Sequence, residues 1–101
     1  MRVSPNGKAE PLHSLMEFPD RYEIYIDMPL ADESTLTVSV YKRVLKVRAM
    51  LRESFRIGEF EVKEYVKILK IPDEVEEEYE VEIVEREGPI VIVVFPKAGR
   101  P

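Results

Sequence analysis

Apolar residues fall at every second position in four separate stretches of this chain. These are Tyr22, Ile24, Ile26 and Met28; Leu36, Val38 and Val40; Leu45, Val47, Ala49 and Leu51; and Tyr79, Val81 and Ile83. Polar residues occupy alternate positions, with Glu23 and Asp27 in the first stretch, Ser39 in the second, Lys46 and Arg48 in the third, and Glu80 and Glu82 in the fourth. A period of two belongs to a strand with one face in a core and the other in water. The one helical rival, Asp73 to Glu87, lacks a continuous i, i+3, i+4 apolar face and fits period two better.

Two stretches are apolar on both faces. Ile90 to Phe95 runs without a charge between Pro89 and Pro96. Exposed, such a segment would pair edge to edge with other chains. It is therefore expected as an interior strand that closes the core, with flanking prolines that lack a donor for further pairing. Tyr65 to Ile71 has the same two-sided character and predicts burial on both sides. His13 to Phe18 suits a short edge strand. Arg52 to Glu64 is harder to place, because Phe55, Ile57, Phe60 and Val62 stand in a charged setting broken by Gly58. Turn signals at Pro19-Asp20, Pro29, Lys42-Arg43, Pro72 and Gly88-Pro89 separate the runs. Seven to eight short strands and no helix predict an all-β fold, an Ig-like β-sandwich. The expected organisation is a short mobile N-terminal arm over 1–11, a sandwich domain over 12–97 and a short tail over 98–101.

With 101 residues the chain suits one domain, and 45% apolar content makes a packed core feasible. Its longest apolar run is far short of the ~20 residues a membrane helix needs, so no membrane partner is expected. The N-terminal MRVSPNGKAEP holds no apolar stretch of the signal-peptide kind, and there is no cysteine; a cytoplasmic setting is expected. A net charge of -5 argues against a nucleic-acid partner, because phosphate binding needs a basic surface. The charge is uneven: Asp73 to Glu87 is acidic apart from Arg86, while Lys42, Arg43, Lys46, Arg48, Arg52 and Arg56 form a basic stretch. These are two solvated faces or two surfaces that complement each other across a subunit contact. Absent glutamine and abundant Glu, Lys and Arg lean towards a thermophile.

Catalytic chemistry is not visible. The single histidine, His13, stands on the N-terminal segment with no nucleophile pattern around it. No phosphate-cradling glycine loop or calcium-loop spacing occurs. The chain is expected to be no enzyme and to need no cofactor or metal.

Three segments together resemble the α-crystallin domain of small heat shock proteins. Tyr22 to Leu30, YEIYIDMPL, is similar to that family's apolar strand with its proline stop. Leu36 to Ala49, LTVSVYKRVLKVRA, is similar to its hairpin. Tyr65 to Val75, YVKILKIPDEV, and the ending Phe95-Pro96-Lys97 are similar to its later motifs. Departures are Lys67 where the family has arginine, Leu30 where it has glycine, the VEIVEREGPI segment with Pro89, a short arm, and no I-x-I tail after Lys97.

The resemblance implies an ATP-independent holdase that binds partly unfolded client proteins and limits their aggregation. It implies a homodimer, which could co-assemble with a paralogue, and with short arm and absent tail one that does not grow into a large shell. The implied dimer residues are Leu15, Phe55, Ile57, Phe60 and Lys67. The contact is either a swapped strand from Arg52–Glu64 or one long strand over Phe60–Ile71 paired with its own copy. Leu36, Val38, Val40, Val81 and Ile83 would floor a client or tail groove; period two alone places the same residues in the core. A binding adaptor of the p23 or CS-domain type, or a co-chaperone dependent on a paralogue, is the alternative on the same sandwich.

Overall fold

A computed structural model describes residues 1–99. The strands are β1 (Arg2–Val3), β2 (Lys8–Glu10), β3 (His13–Glu17), β4 (Arg21–Asp27), β5 (Thr37–Tyr41), β6 (Val44–Ile57), β7 (Phe60–Lys70), β8 (Glu80–Glu85) and β9 (Pro89–Pro96). A 3-10 turn, Glu33–Thr35, follows β4 and is capped by the Asp32 carboxylate. One sheet has the order β1-β2-β7-β6-β5 and the other β3-β4-β9-β8. The fold is an all-β sandwich: seven strands, β3 to β9, form the body, and β1 and β2 add a small ribbon. Pairing is antiparallel throughout, except that β2 runs parallel to β7.

The alternating residues meet between the sheets as expected. Tyr22, Ile24, Ile26, Leu45, Val47, Ala49, Val91, Val93 and Phe95 form one buried cluster. β9 lies between β4 and β8, so its backbone donors and acceptors are paired on both edges. Its apolar inner face closes the core, and Ile90, Ile92 and Val94 point to the outside of the sheet.

Three segments differ from expectation. Arg52 to Glu64 is neither a loop nor a separate strand. It is the far half of a long β6–β7 hairpin, in which Phe55 pairs with Val62 and Ile57 with Phe60. A register shift between Met50 and Phe55 breaks the alternation there, and with it the sequence signal. A 14-residue strand at about 3.3 Å per residue accounts for most of the 50 Å long axis. Two-sided burial of Tyr65–Ile71 is also corrected: Ile68 is 57% exposed, since none of the described residues covers that face of the sheet. Residues 1–11, read as an arm, hold the ribbon. Gly7 turns it at φ 85, and its carbonyl accepts from the amides of Lys63 (2.8 Å) and Glu64 (3.2 Å).

Two turns that meet around Pro29 depend on unusual backbone geometry. Leu30 sits at φ 68, in the left-handed region that glycine occupies without penalty. Its carbonyl accepts from the Arg52 amide at 2.8 Å, which holds the strained turn. Gly88 adopts φ 117, and a Cβ there would stand 3.0 Å from Pro29 Cα; the β8–β9 turn can press against Pro29 only because this residue has no side chain.

Candidate functional site

A two-sheet sandwich leaves two open flanks, where the edge strand of one sheet faces the edge strand of the other. Here β5 faces β8 on one flank, and β3 lies beside β7 on the other.

On the β5–β8 flank, Leu36, Val38 and Val40 are half-buried against the core, while Val81 and Ile83 are 38% and 40% exposed. The five groove candidates therefore line one opening but divide between the core rim and solvent. Tyr79 spans the opening: its hydroxyl donates to the Val38 carbonyl at 3.0 Å, and its ring tilts against Phe95 at 6.1 Å between centroids. Period two marked Tyr79 as apolar and gave no hint of the work done by its hydroxyl.

A second tie stands at the end of this flank. Lys42 and Arg43 form a two-residue turn with φ of 50 and 67, the backbone of a type I′ hairpin. Neither residue is a natural occupant of that region. Arg43 is held from outside: its guanidinium donates to the Val75 carbonyl at 2.6 Å and to the Pro72 carbonyl, and its amide donates to Glu77 at 2.8 Å. The acidic connection Asp73–Glu78 is thus partly structural. Val75 is buried, and Glu74 accepts from the Tyr22 hydroxyl, an interaction that raises the Tyr22 pKa.

The β3–β7 flank is built differently. Every residue of β3 is exposed, and Leu15 borders a cleft with His13, Ile24, Leu69, Lys70 and Pro72. Lys67 is only 5% exposed. Its ammonium donates to Glu10 at 3.1 Å and to the Pro11 carbonyl at 3.0 Å, so its charge is partnered within one chain. A hydrogen bond from Arg2, and then the Lys67 ammonium, hold the Glu10 carboxyl below its ordinary range. Burial, then Lys67, pushes His13 down. The ribbon pairs with β7 at Glu64 and Tyr65; among the described residues no strand covers the β7 edge from Val66 to Lys70. Phe55 is half-buried, and Ile57 and Phe60 stand exposed at the hairpin tip.

The described residues include no group of three or more His, Asp or Glu placed to hold a metal ion. No helix is long and apolar enough to cross a membrane. Each buried side-chain polar atom among the described residues has a partner.

No family model and no curated protein matches the chain. Solved structures do. Heat shock protein 16.0 from Schizosaccharomyces pombe superposes with a TM-score of 0.71 at 16% identity, over 97% of this chain and 78% of that one. HSP18.5 from E. histolytica gives 0.71 at 16%, over 92% of each. A small heat-shock protein from Xylella fastidiosa gives 0.68 at 17%, over 90% and 88%. Nearly the whole chain takes part in each match, so the β-sandwich of this protein is the fold of the small heat shock proteins.

Proposed function

We propose that this protein is a small heat shock protein acting as an ATP-independent holdase in the cytoplasm of a thermophile. In this reading it captures partly unfolded proteins and limits their aggregation. The observation that carries the reading is the state of the flanks. Each edge leaves apolar side chains exposed, Leu15 on β3, Val81 and Ile83 on β8, and Ile57 and Phe60 at the tip. A strand edge beside apolar side chains can take an extended segment of another chain by main-chain pairing, and a partly unfolded protein offers many such segments. The groove between β5 and β8, with Leu36, Val38, Val40, Val81 and Ile83, is the proposed client surface.

Light scattering from a heat-labile client, mixed with equimolar protein and no nucleotide, tests this directly. Suppressed scattering is expected. Full aggregation of the client beside a still-folded protein would count against the holdase.

The proposed unit is a homodimer. The continuous β6–β7 hairpin favours the long-strand form of pairing over a swapped loop: Val66–Lys70 of two copies would pair antiparallel, centred on Ile68. Lys67 lies in this pairing segment, and Leu15 on β3 flanks it. The tip residues Phe55, Ile57 and Phe60 would lie along the partner. Phe60→Asp should give folded monomers on a sizing column with light scattering; an unchanged dimer would reject this surface.

A further inference from the structure

The outer faces of the two sheets carry opposite charge around apolar centres. On the β3-β4-β9-β8 sheet, the β9 side chains Ile90, Ile92 and Val94 form a central apolar stripe, half-buried at Ile90 and Val94 and 8% exposed at Ile92. Register places Tyr25 and Val84 beside it. Glu80 and Glu82 rim it on β8 and Asp27 on β4; among the described residues none of these three carboxylates has an ion-pair partner. Glu23, on the same face, is already neutralised by Arg21 at 2.7 Å.

The outer face of the other sheet is the complement. Val44, Met50 and Ile68 are exposed there, with Tyr41 at 71%. Lys46 pairs in register with Ile68, and Lys70 with Val44, so cations and apolar groups interleave. Arg48 is engaged by Glu64, while Lys46 and Lys70 have no ion-pair partner among the described residues.

We infer that the acidic outer face of one copy stacks on the basic outer face of a second copy. Two twisted sheets pack face to face at about 10 Å through interdigitated apolar side chains. Here the stripe of β9 would meet Ile68, Val44 and Met50, with Glu80, Glu82 and Asp27 around Lys46 and Lys70. The like-with-like contact is disfavoured on both faces, because it sets unpaired charges of one sign together. The contact joins two different surfaces, so it leaves one free face at each end and propagates as a stack or closes as a ring. It engages the outer face through side chains and leaves the backbone edges free, so it adds to the edge pairing proposed above, with which it shares Ile68 and Lys70 of β7.

The rim charges make association salt-sensitive, since screening shortens their reach from about 10 Å at 0.1 M to about 3 Å at 1 M. Sedimentation of the full chain at high protein concentration tests it, in low salt and in high salt. Two charge-reversed variants, Glu80→Lys/Glu82→Lys and Lys46→Glu/Lys70→Glu, change only solvent-facing groups; circular dichroism checks their fold. The wild type should lose at least half of its average mass in high salt, and each variant alone should stay at that smaller mass in low salt. Mixing the variants should restore the large species, because each then offers the other a matched face. Equal wild-type mass at both salts would overturn the inference. So would wild-type mass in both variants, or a mixture that stays small.

Discussion

The two flanks of the sandwich meet the same physical problem by different means. At the β5–β8 flank the sheets are tied by side chains: the Tyr79 hydroxyl on the Val38 carbonyl, and the Arg43 guanidinium on the Pro72 and Val75 carbonyls. At the β3–β7 flank backbone does the covering, with the ribbon laid on Glu64 and Tyr65 and pinned by Lys67. A side-chain tie spans the opening and leaves the neighbouring strand edges free. A backbone cover consumes the edge it protects, which is why the open part of β7 begins only at Val66. The difference separates the flank proposed to hold a groove from the flank where the proposed pairing would begin beside the protein's own N-terminal segment.

Breaking the side-chain tie should have the larger effect. Arg43→Ala removes charge-assisted bonds to two carbonyls and leaves a left-handed turn without its brace; about 3 kcal/mol of stability should be lost. Urea unfolding measures this, and a midpoint equal to the parent's would show that the turn holds itself. Lys67→Met keeps the bulk but removes the pin on Pro11, and should cost about 2 kcal/mol. Amide exchange at Glu64 and Tyr65 should quicken selectively. Uniform quickening over the whole sheet would mean that Lys67 supports the core and not the cover. Tyr79→Phe should cost about 1 kcal/mol and widen the β5–β8 opening, read as increased binding of an apolar dye; unchanged binding would place the tie away from the opening.

Acid should loosen the ribbon flank by a smaller amount. Glu10 is held below its ordinary value of 4.5. A carboxylate depressed on folding stabilises fully above its unfolded pKa, and that contribution is lost as pH falls through the folded one. Exchange protection at Tyr65 should therefore be flat above about pH 5 and decline below 4.5. In Glu10→Gln the decline should vanish.

The body of the fold was legible because its inner faces are strictly alternating: Tyr22, Ile24 and Ile26 on β4, and Leu45, Val47 and Ala49 on β6, lie where period two puts them. The unpunctuated β9 was legible for the opposite reason, since a strand paired on both edges tolerates apolar residues on both faces. The same argument failed on β7, where Val66 and Ile68 line an outer face with no second layer; an apolar pattern reports the wish for a cover, not its presence. The ribbon was hidden because it is held by main-chain bonds at Gly7, one small buried residue, Ala9, and one ion pair, none of which forms a pattern. At the candidate surfaces the apolar residues could be named from sequence. The ties could not, because Tyr79 and Arg43 act through a hydroxyl and a guanidinium aimed at carbonyls far along the chain.

The long β6–β7 hairpin also sets an order of events during synthesis. It closes through Gly58 and Glu59, between neighbours in sequence, and its strand pairing needs nothing made later than Lys70. β4 can pair at once with β3, but its other edge must wait for β9, more than sixty residues later in the chain. Local pairings form fast and distant ones slowly. A chain still on the ribosome therefore holds one finished hairpin whose Leu45, Val47 and Ala49 lack part of their cover until Val91, Val93 and Phe95 join the cluster. For that interval the nascent protein presents the very kind of partly bare apolar sheet that other proteins present when heat unfolds them.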